Sequence, residues 1–280
     1  NERFGLIECV GIYDKGRGMY VSPVQFDLLY KNRRIKFEGS SKRVPLSKDW
    51  EESDHRAQYK ALEMAPGEPE RTESGCLNIY RGYSVEPVEG DVQPFLELLE
   101  LLIPDPAERD YYLSFIAYKL QHPASRYAVA TVLWSRTQGV GKNLIAETLV
   151  SLFHQDHWVV RGQEVFNDNF TEWQHRRLFC ILDEVSSTNR RSVADRIKSW
   201  ITATENSINA KNQPKFDEPN LIGYIFLSNS PDAVFMDASD RRYWVYHCRE
   251  QQPDKGIIQR FVEWRDNGGQ SHLLQYLHSY

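Results

Sequence analysis

A chain of 280 residues, 41% hydrophobic and 26% charged, is long enough for one large domain or two modest ones with a real core. Its net charge of −5 excludes a general nucleic-acid coat but not a local basic channel. No apolar run approaches the ~18–20 residues that span a bilayer, and the four cysteines (Cys9, Cys76, Cys180, Cys248) lack C-x-x-C spacing, which points to reduced thiols in the cytoplasm rather than zinc ligands or a disulfide framework.

The N-terminal stretch NERFGLIECVGIYDK has no charged-then-apolar signal pattern, and its start without methionine is expected of a piece of a longer chain. Residues 1–65 read as a small β-rich region. Strands are expected at Leu6–Tyr13, Met19–Val21, Phe26–Tyr30 and Arg33–Phe37, with a hairpin loop at Asp14-Lys15-Gly16-Arg17-Gly18. From Lys31 to Lys48 there are seven Lys or Arg residues against one acid, Glu38, which reads either as a phosphate-contacting edge or as a solvated charged face. Residues 66–122 read as a linker followed by a helical subdomain. Prolines and glycines crowd the stretch from Ala65 to Gly90, interrupted by an ordered island at Leu77–Tyr83. Apolar residues at 3–4 residue spacing predict a helix from Pro94 (Phe95, Leu98, Leu99, Leu102), a break at Pro104-Asp105-Pro106, and a second helix ending at His122-Pro123.

Residues 123–250 read as an α/β core. A buried strand around Thr131–Trp134 runs into the Gly-rich turn Gln138-Gly139-Val140-Gly141-Lys142-Asn143 and then a helix over Leu144–Phe153. Trp158–Val160 reads as a further strand, and Leu178–Leu182 as one that is apolar on both sides and ends in Asp183-Glu184. Such a strand belongs in the middle of a parallel sheet flanked by helices, where ligands sit beyond the strand C-termini. A helix follows from about Asn189 to Thr202. Polar arms either side of Asn212-Gln213-Pro214 then suggest a hairpin, and strands are expected at Leu221–Leu227 and Tyr243–Tyr246. Residues 251–280 read as a helical tail in two pieces around Asn267-Gly268-Gly269.

Four pieces line up for nucleoside triphosphate chemistry. In the Gly139–Lys142 turn, glycines let backbone N–H groups approach an anion, the following helix adds its positive end, and Lys142 adds a mobile charge. Asp183 would hold Mg²⁺, which uses few protein carboxylates. Glu184 would orient and deprotonate the attacking water, and Asn229 would hydrogen-bond that water or the terminal phosphate. Arg241 or Arg242 would neutralise charge in the transition state. Each piece also has a plain structural reading: a turn, a solvated strand end, surface charge.

Together these residues resemble the superfamily 3 helicases of the AAA+ class, in particular phage, plasmid and poxvirus-type primase–helicases. The likeness lies in Gln138–Asn143 (Walker A), Phe179–Glu184 (Walker B), Ile197-Lys198-X-X-Ile201-Thr202 leading to Lys211 (the B′ region), and Phe226–Asn229 followed by Asp240-Arg241-Arg242 (motif C and arginine finger). It is strong over residues 75–247 and weak before 65. The resemblance implies an AAA+ P-loop core and ATP with Mg²⁺ bound between subunits of a hexameric ring. It also implies DNA in the central channel, gripped by Lys211 and Lys215, with Lys198 serving either DNA or the ATP site. Two departures stand out: Arg136 replaces the first P-loop glycine, and Asn143 replaces the Ser/Thr that binds Mg²⁺, although an amide oxygen can also coordinate a hard cation.

The leading expectation is an ATP-driven DNA helicase or translocase for viral or plasmid replication, fused upstream to a primase or polymerase. The alternative is a nucleotide-gated assembly module with weak or no hydrolysis, motivated by Arg136 and Asn143. A packaging-type translocase ranks below both, because no nuclease-like His/Asp cluster accompanies the motor residues.

Overall fold

The fold is that of a computed structural model, which describes every residue except 1, 9, 37–41, 167, 185–190, 212–214 and 231–239, and every described side chain except those of 191 and 192. Two compact units divide the chain at Asn1–Tyr80 and Arg81–Tyr280.

In the first unit, β1 (Phe4–Ile7), β2 (Gly11–Asp14) and β3 (Met19–Val21) form an antiparallel meander, followed by α1 (Pro23–Tyr30), β4 (Arg34–Lys36), β5 (Arg43–Pro45), α2 (Leu46–Glu52), β6 (Gln58–Tyr59), β7 (Leu62–Glu63) and β8 (Leu77–Asn78). The main sheet has the order β3-β2-β1-β6. The Asp14–Gly18 loop is shaped by the buried Asp14 carboxylate, which accepts from the Gly16 and Arg17 amides at 3.0 and 3.2 Å and from Arg3 at 2.8 Å.

Two expectations fail in this unit. The single strand expected over Leu6–Tyr13 is two strands folded on each other, Leu6 opposite Ile12. The strand expected at Phe26–Tyr30 is the end of α1. Its apolar letters misled, since Val24, Leu28 and Leu29 are exposed and only Phe26 is buried. The helix was announced instead by its start: Ser22 accepts from the Gln25 amide, the Gln25 side chain returns to the Ser22 amide, and Pro23 opens the first turn. Arg33–Phe37 contains β4, while Phe37 lies outside the described residues.

In the second unit, α3 (Gln93–Leu102) and α4 (Pro106–Gln121) precede β9 (Ala130–Trp134), α5 (Lys142–Val150), β10 (Trp158–Arg161), β11 (Phe179–Leu182), α6 (Arg191–Thr202), β12 (Glu205–Ile208), β13 (Phe216–Pro219), β14 (Gly223–Ser228), β15 (Tyr243–His247), α7 (Lys255–Trp264) and α8 (Gln270–His278). Asp105 caps α4 by accepting from the Ala107 and Glu108 amides, which makes the Pro-Asp-Pro break a clean helix start. The start expected for α6 at Asn189 lies outside the described residues.

Five strands form one parallel sheet in the order β10-β11-β14-β9-β15. The mixed α/β architecture with a parallel sheet therefore agrees with the sequence. All six residues of β14 are buried, as an interior strand covered on both faces requires. On one face Val132, Cys180, Leu182, Tyr224 and Phe226 pack with Trp173 and with Ile197 and Trp200 of α6. The tail is not a separate appendage: α7 packs on α3, with the Phe95 ring 6.5 Å from Phe261 and 6.2 Å from Trp264, and α8 packs on α4. Among the described residues no helix is long and apolar enough to cross a membrane.

His157, fully buried, accepts the Arg81 N–H on Nε2 at 2.8 Å, and its Nδ1 lies 3.3 Å from the Arg176 carbonyl, an arrangement that suits the neutral ring. Burial pushes its pKa from the ordinary 6.5 down to about 4. The unfolded imidazole takes up a proton near pH 6.5 and the folded one only near pH 4, so this contribution to stability is complete above pH 6.5 and is lost progressively as pH falls toward 4. Between pH 7 and pH 5 the expected loss is about 2 kcal/mol. Urea titrations of wild type and His157→Gln at the two pH values check it: the variant is less stable at pH 7 but has a shallower pH dependence, and parallel curves would contradict the assignment.

Candidate functional site

The C-terminal ends of β9, β11 and β14 lie side by side, because the register pairs Ile181 with Ile225 and Leu227 with Leu133. Whatever follows those strands is therefore brought to one edge of the sheet. A cleft of about 470 Å³ opens there, lined by residues 138–144, Asp183, Glu184 and Asn229, with Ile258 of α7 closing one side.

After β9 the chain turns tightly into α5. Gly139 takes φ +74° and Gly141 φ +107°, conformations that L side chains rarely adopt. A Cβ on Gly139 would also lie 3.1 Å from the Gln252 side chain. Gly141 caps α5 with no side-chain hydrogen bond to the first turn. The amides of that turn have no carbonyl partner within the helix, and the helix dipole adds partial positive charge at the cleft floor.

Lys142 is only 6% exposed, and its ammonium donates to Ser135 Oγ at 2.6 Å and to Asn229 Oδ1 at 3.0 Å. Burial lowers its pKa below the usual lysine range, an effect opposed by nearby groups that include Asp183 and Glu250. The Asn143 amide donates to Asp183 Oδ2, and the Glu184 N–H donates to Asp183 Oδ1 at 2.8 Å. Glu184 itself takes φ +55°, a left-handed conformation uncommon for a residue with a side chain, and its carbonyl accepts from Gln163 at 2.8 Å. Strained backbone of this kind clusters at functional sites.

The structure thus brings together Gln138, Gly139, Val140, Gly141, Lys142, Asn143, Asp183, Glu184 and Asn229. It places the other candidates elsewhere. Arg241 and Arg242 precede β15, and the Arg242 carbonyl accepts the Ala130 N–H at the start of β9. They therefore sit at the opposite end of the sheet, about 15 Å along the strand from the cleft. Arg242 pairs with Asp240 at 3.1 Å, and Lys198 of α6 reaches the same carboxylate at 3.6 Å, while Arg241 is exposed. Lys211 and Lys215, both exposed, flank the loop of the antiparallel β12–β13 hairpin, whose tip at 212–214 lies outside the described residues.

The sequence reading missed the strap that holds the Gly-rich turn. Past β15, the Glu250 carboxylate accepts from the Arg136 and Thr137 amides at 2.9 and 2.7 Å and bonds His247 Nε2 at 2.6 Å. Gln252 donates to the Gln138 carbonyl at 2.8 Å. The bond to His247, then those to the two amides, pull the Glu250 carboxyl down to about 2. The His247 ring also stacks on Trp134, centroids 3.9 Å apart and 8° from parallel. Arg136 is thus a residue whose backbone is fixed by a carboxylate rather than by glycine geometry. Nothing in its local sequence could reveal this, because Glu250 is 114 positions away.

Comparison with known proteins bears on the same region. Residues 133–242 match the sequence profile of a family of unknown function, DUF5906. That span holds most of the cleft and all the distant candidates but is under half of the chain. A primase-polymerase of Nitratiruptor phage NrS-1, whose name reads "DNA Primase-polymerase", is 28% identical over 194 residues, 65% of this chain and 27% of that protein. Solved apo structures of the NrS-1 C-terminal region superpose with TM-scores of 0.78 and 0.75, at 22% and 21% identity, over 99% and 98% of this chain. The fold is similar to that of the NrS-1 C-terminal region. This chain spans about a quarter of the phage protein's length and 66% of the first of those solved chains.

If Glu250 holds the turn, Glu250→Ala releases two of its amides. Hydrogen exchange should quicken roughly tenfold or more at Arg136 and Thr137 while the β9 and β14 amides keep their protection. Unchanged exchange at those two amides would show that the strap does not restrain the loop.

Proposed function

We propose that this chain is an ATP-driven DNA motor of the superfamily 3, AAA+ type, acting in phage or plasmid replication. The observation that carries the reading is the convergence of three strand ends on a buried lysine: Lys142 bonded to Asn229, with Asp183 and Glu184 in the same cleft. The sheet supports it, since the phosphate-turn strand β9 lies inside a parallel sheet, between β14 and β15. The likeness to the phage primase-polymerase supports a place in replication, and an upstream primase or polymerase domain in the natural chain is part of the same proposal.

When bound, ATP brings the phosphoanhydride and Mg²⁺ the Lewis acidity. The Gly139–Lys142 turn and the α5 N-terminus would cradle the phosphates, with Gln138 and Val140 shaping the approach. Lys142 would exchange its neutral partners Ser135 and Asn229 for a phosphate oxygen. Asp183 and the Asn143 amide oxygen would hold Mg²⁺, and the Asn143 N–H now donated to Asp183 would turn away. Glu184 would take a proton from the attacking water, and Asn229 would position that water.

The arginines fit a shared site. Arg242 is tied to Asp240, so Arg241 is the arginine we assign to a neighbour's ATP, at the end of the sheet remote from its own cleft. A ring of identical subunits, six by resemblance, would complete each site in this way and line a channel with Lys211 and Lys215. Lys198, held by Asp240, would link the hairpin-bearing α6 to the arginine segment.

A nucleotide-gated assembly module is favoured by one observation, the hydrogen bond that turns the Asn143 N–H toward the carboxylate meant for metal. It predicts ATP-dependent mass by light scattering without turnover.

ATPase assays with and without forked or single-stranded DNA decide between them. Wild type is expected to turn over ATP faster with DNA, and Lys142→Ala and Glu184→Gln to fall by roughly 100-fold or more. Wild-type turnover no higher than the variants, with or without DNA, would end the motor reading. Mixing Arg241→Ala with Lys142→Ala chains should restore about a quarter of wild-type activity, because a site needs Lys142 from one subunit and Arg241 from the next. No recovery on mixing would place Arg241 outside the neighbour's site.

A further inference from the structure

We propose that the first unit carries its own single-stranded DNA site, made of the exposed face of the β4–β5 hairpin and the aromatic cleft at its foot. This extends the reading of the chain as a DNA-acting protein to a surface outside the ATP cleft and the β12–β13 hairpin.

The basic run has a definite geometry. Arg34 and Lys36 are exposed on β4, with Ile35 between them turned inward, and Lys36 stands directly opposite the exposed Arg43 of β5. These three cations share one face of a hairpin with only three residues in each strand. Among the described residues none of the three has an ion-pair partner, whereas Lys48 on the following helix pairs with Glu52 at 3.6 Å. Like charges directly opposite across an antiparallel pair destabilise it, and a short two-stranded ribbon has little stability to lose. A solvated face of mixed charge would avoid that penalty. A surface that meets a run of phosphates turns the repulsion into binding energy, through phosphate neutralisation and counterion release.

The foot of the hairpin opens into a cleft of about 380 Å³, within the range of small-ligand sites, whose walls include Phe4, Tyr30, Leu46 and Trp50. Two contacts join hairpin and cleft. The Arg33 guanidinium lies over the Tyr30 ring, 5.7 Å from its centroid, and the Leu46 amide donates to the Arg33 carbonyl at 2.9 Å. The cleft also holds Glu2, Asp49 and Arg3, whose guanidinium is paired with Asp14 at 2.8 Å. Carboxylates there repel a phosphate but accept hydrogen bonds from the amino edge of a base. The two parts therefore sort a single strand by its chemistry: phosphates onto Arg34, Lys36 and Arg43, and an unstacked base against Trp50 and Tyr30. A duplex keeps its bases stacked inside and cannot use the cleft.

The test is fluorescence anisotropy of a labelled oligodeoxythymidine on the whole chain without nucleotide, across a salt series, joined to photo-crosslinking of a 5-iododeoxyuridine oligonucleotide mapped by mass spectrometry. Arg34→Glu/Lys36→Glu/Arg43→Glu should weaken binding at least tenfold and flatten the slope of log affinity against log salt by about two, the value for three lost single-strand phosphate contacts. Cross-links in wild type should fall on Tyr30 or Trp50, and a duplex of equal length should not compete at equal phosphate concentration. Unchanged affinity in the triple variant, or cross-links confined to residues beyond 80, overturns the proposal. Lys142→Ala serves as the control, since it should abolish DNA-stimulated ATPase and leave this nucleotide-free binding intact. The motor reading can thus fail while this site stands, and the reverse.

Discussion

Lys142 is an ammonium almost withdrawn from water whose two hydrogen-bond partners, Ser135 Oγ and Asn229 Oδ1, are neutral. Taking a charge out of water without a bonded counter-ion is costly, and the lowered pKa of this lysine expresses that cost. The sheet is what imposes it: β9 and β14 lie side by side in parallel register, so the turn after one must meet the tip of the other. The uncapped α5 terminus, the left-handed glycines and the lysine all present positive potential to one cleft, and an anion would relieve all three together.

The parallel core was legible because its signals are local and redundant. A strand apolar on both faces belongs in the interior of a covered sheet, and Leu178–Leu182 carried that signal along with the two acids at its end. The glycines announced a turn whose backbone only glycine tolerates. The ends of α3 and α4 were legible for the same reason, a proline and a capping aspartate at the break. The cleft residues that are neighbours in sequence, or that end adjacent strands, followed from these signals.

What was not legible depends on distance or on which face is covered. α1 has more apolar surface outside than inside, so counting hydrophobic letters gave a strand; only its Ser-Pro-x-Gln cap spoke for a helix. Glu250 and Gln252 act on the turn from beyond the last sheet strand, and a single acid after a strand looks like any solvated terminus until the fold closes. Motif order groups Arg241 and Arg242 with the motor residues. Motif order cannot say that they lie at the far end of the sheet; the pairing of Tyr243 with Ala130 says so.

The strap after β15 has a practical corollary for anyone cutting this chain. The stretch that matches DUF5906 stops at residue 242, inside the segment that leads into β15. A fragment trimmed to that match would retain Lys142, Asp183, Glu184, Asn229 and both arginines. It would lose the edge strand of the sheet and the carboxylate that pins the Arg136 and Thr137 amides. In synthesis the turn precedes its clasp by more than a hundred residues, so the bonds from Glu250 and Gln252 can close on it only after the whole sheet has been made.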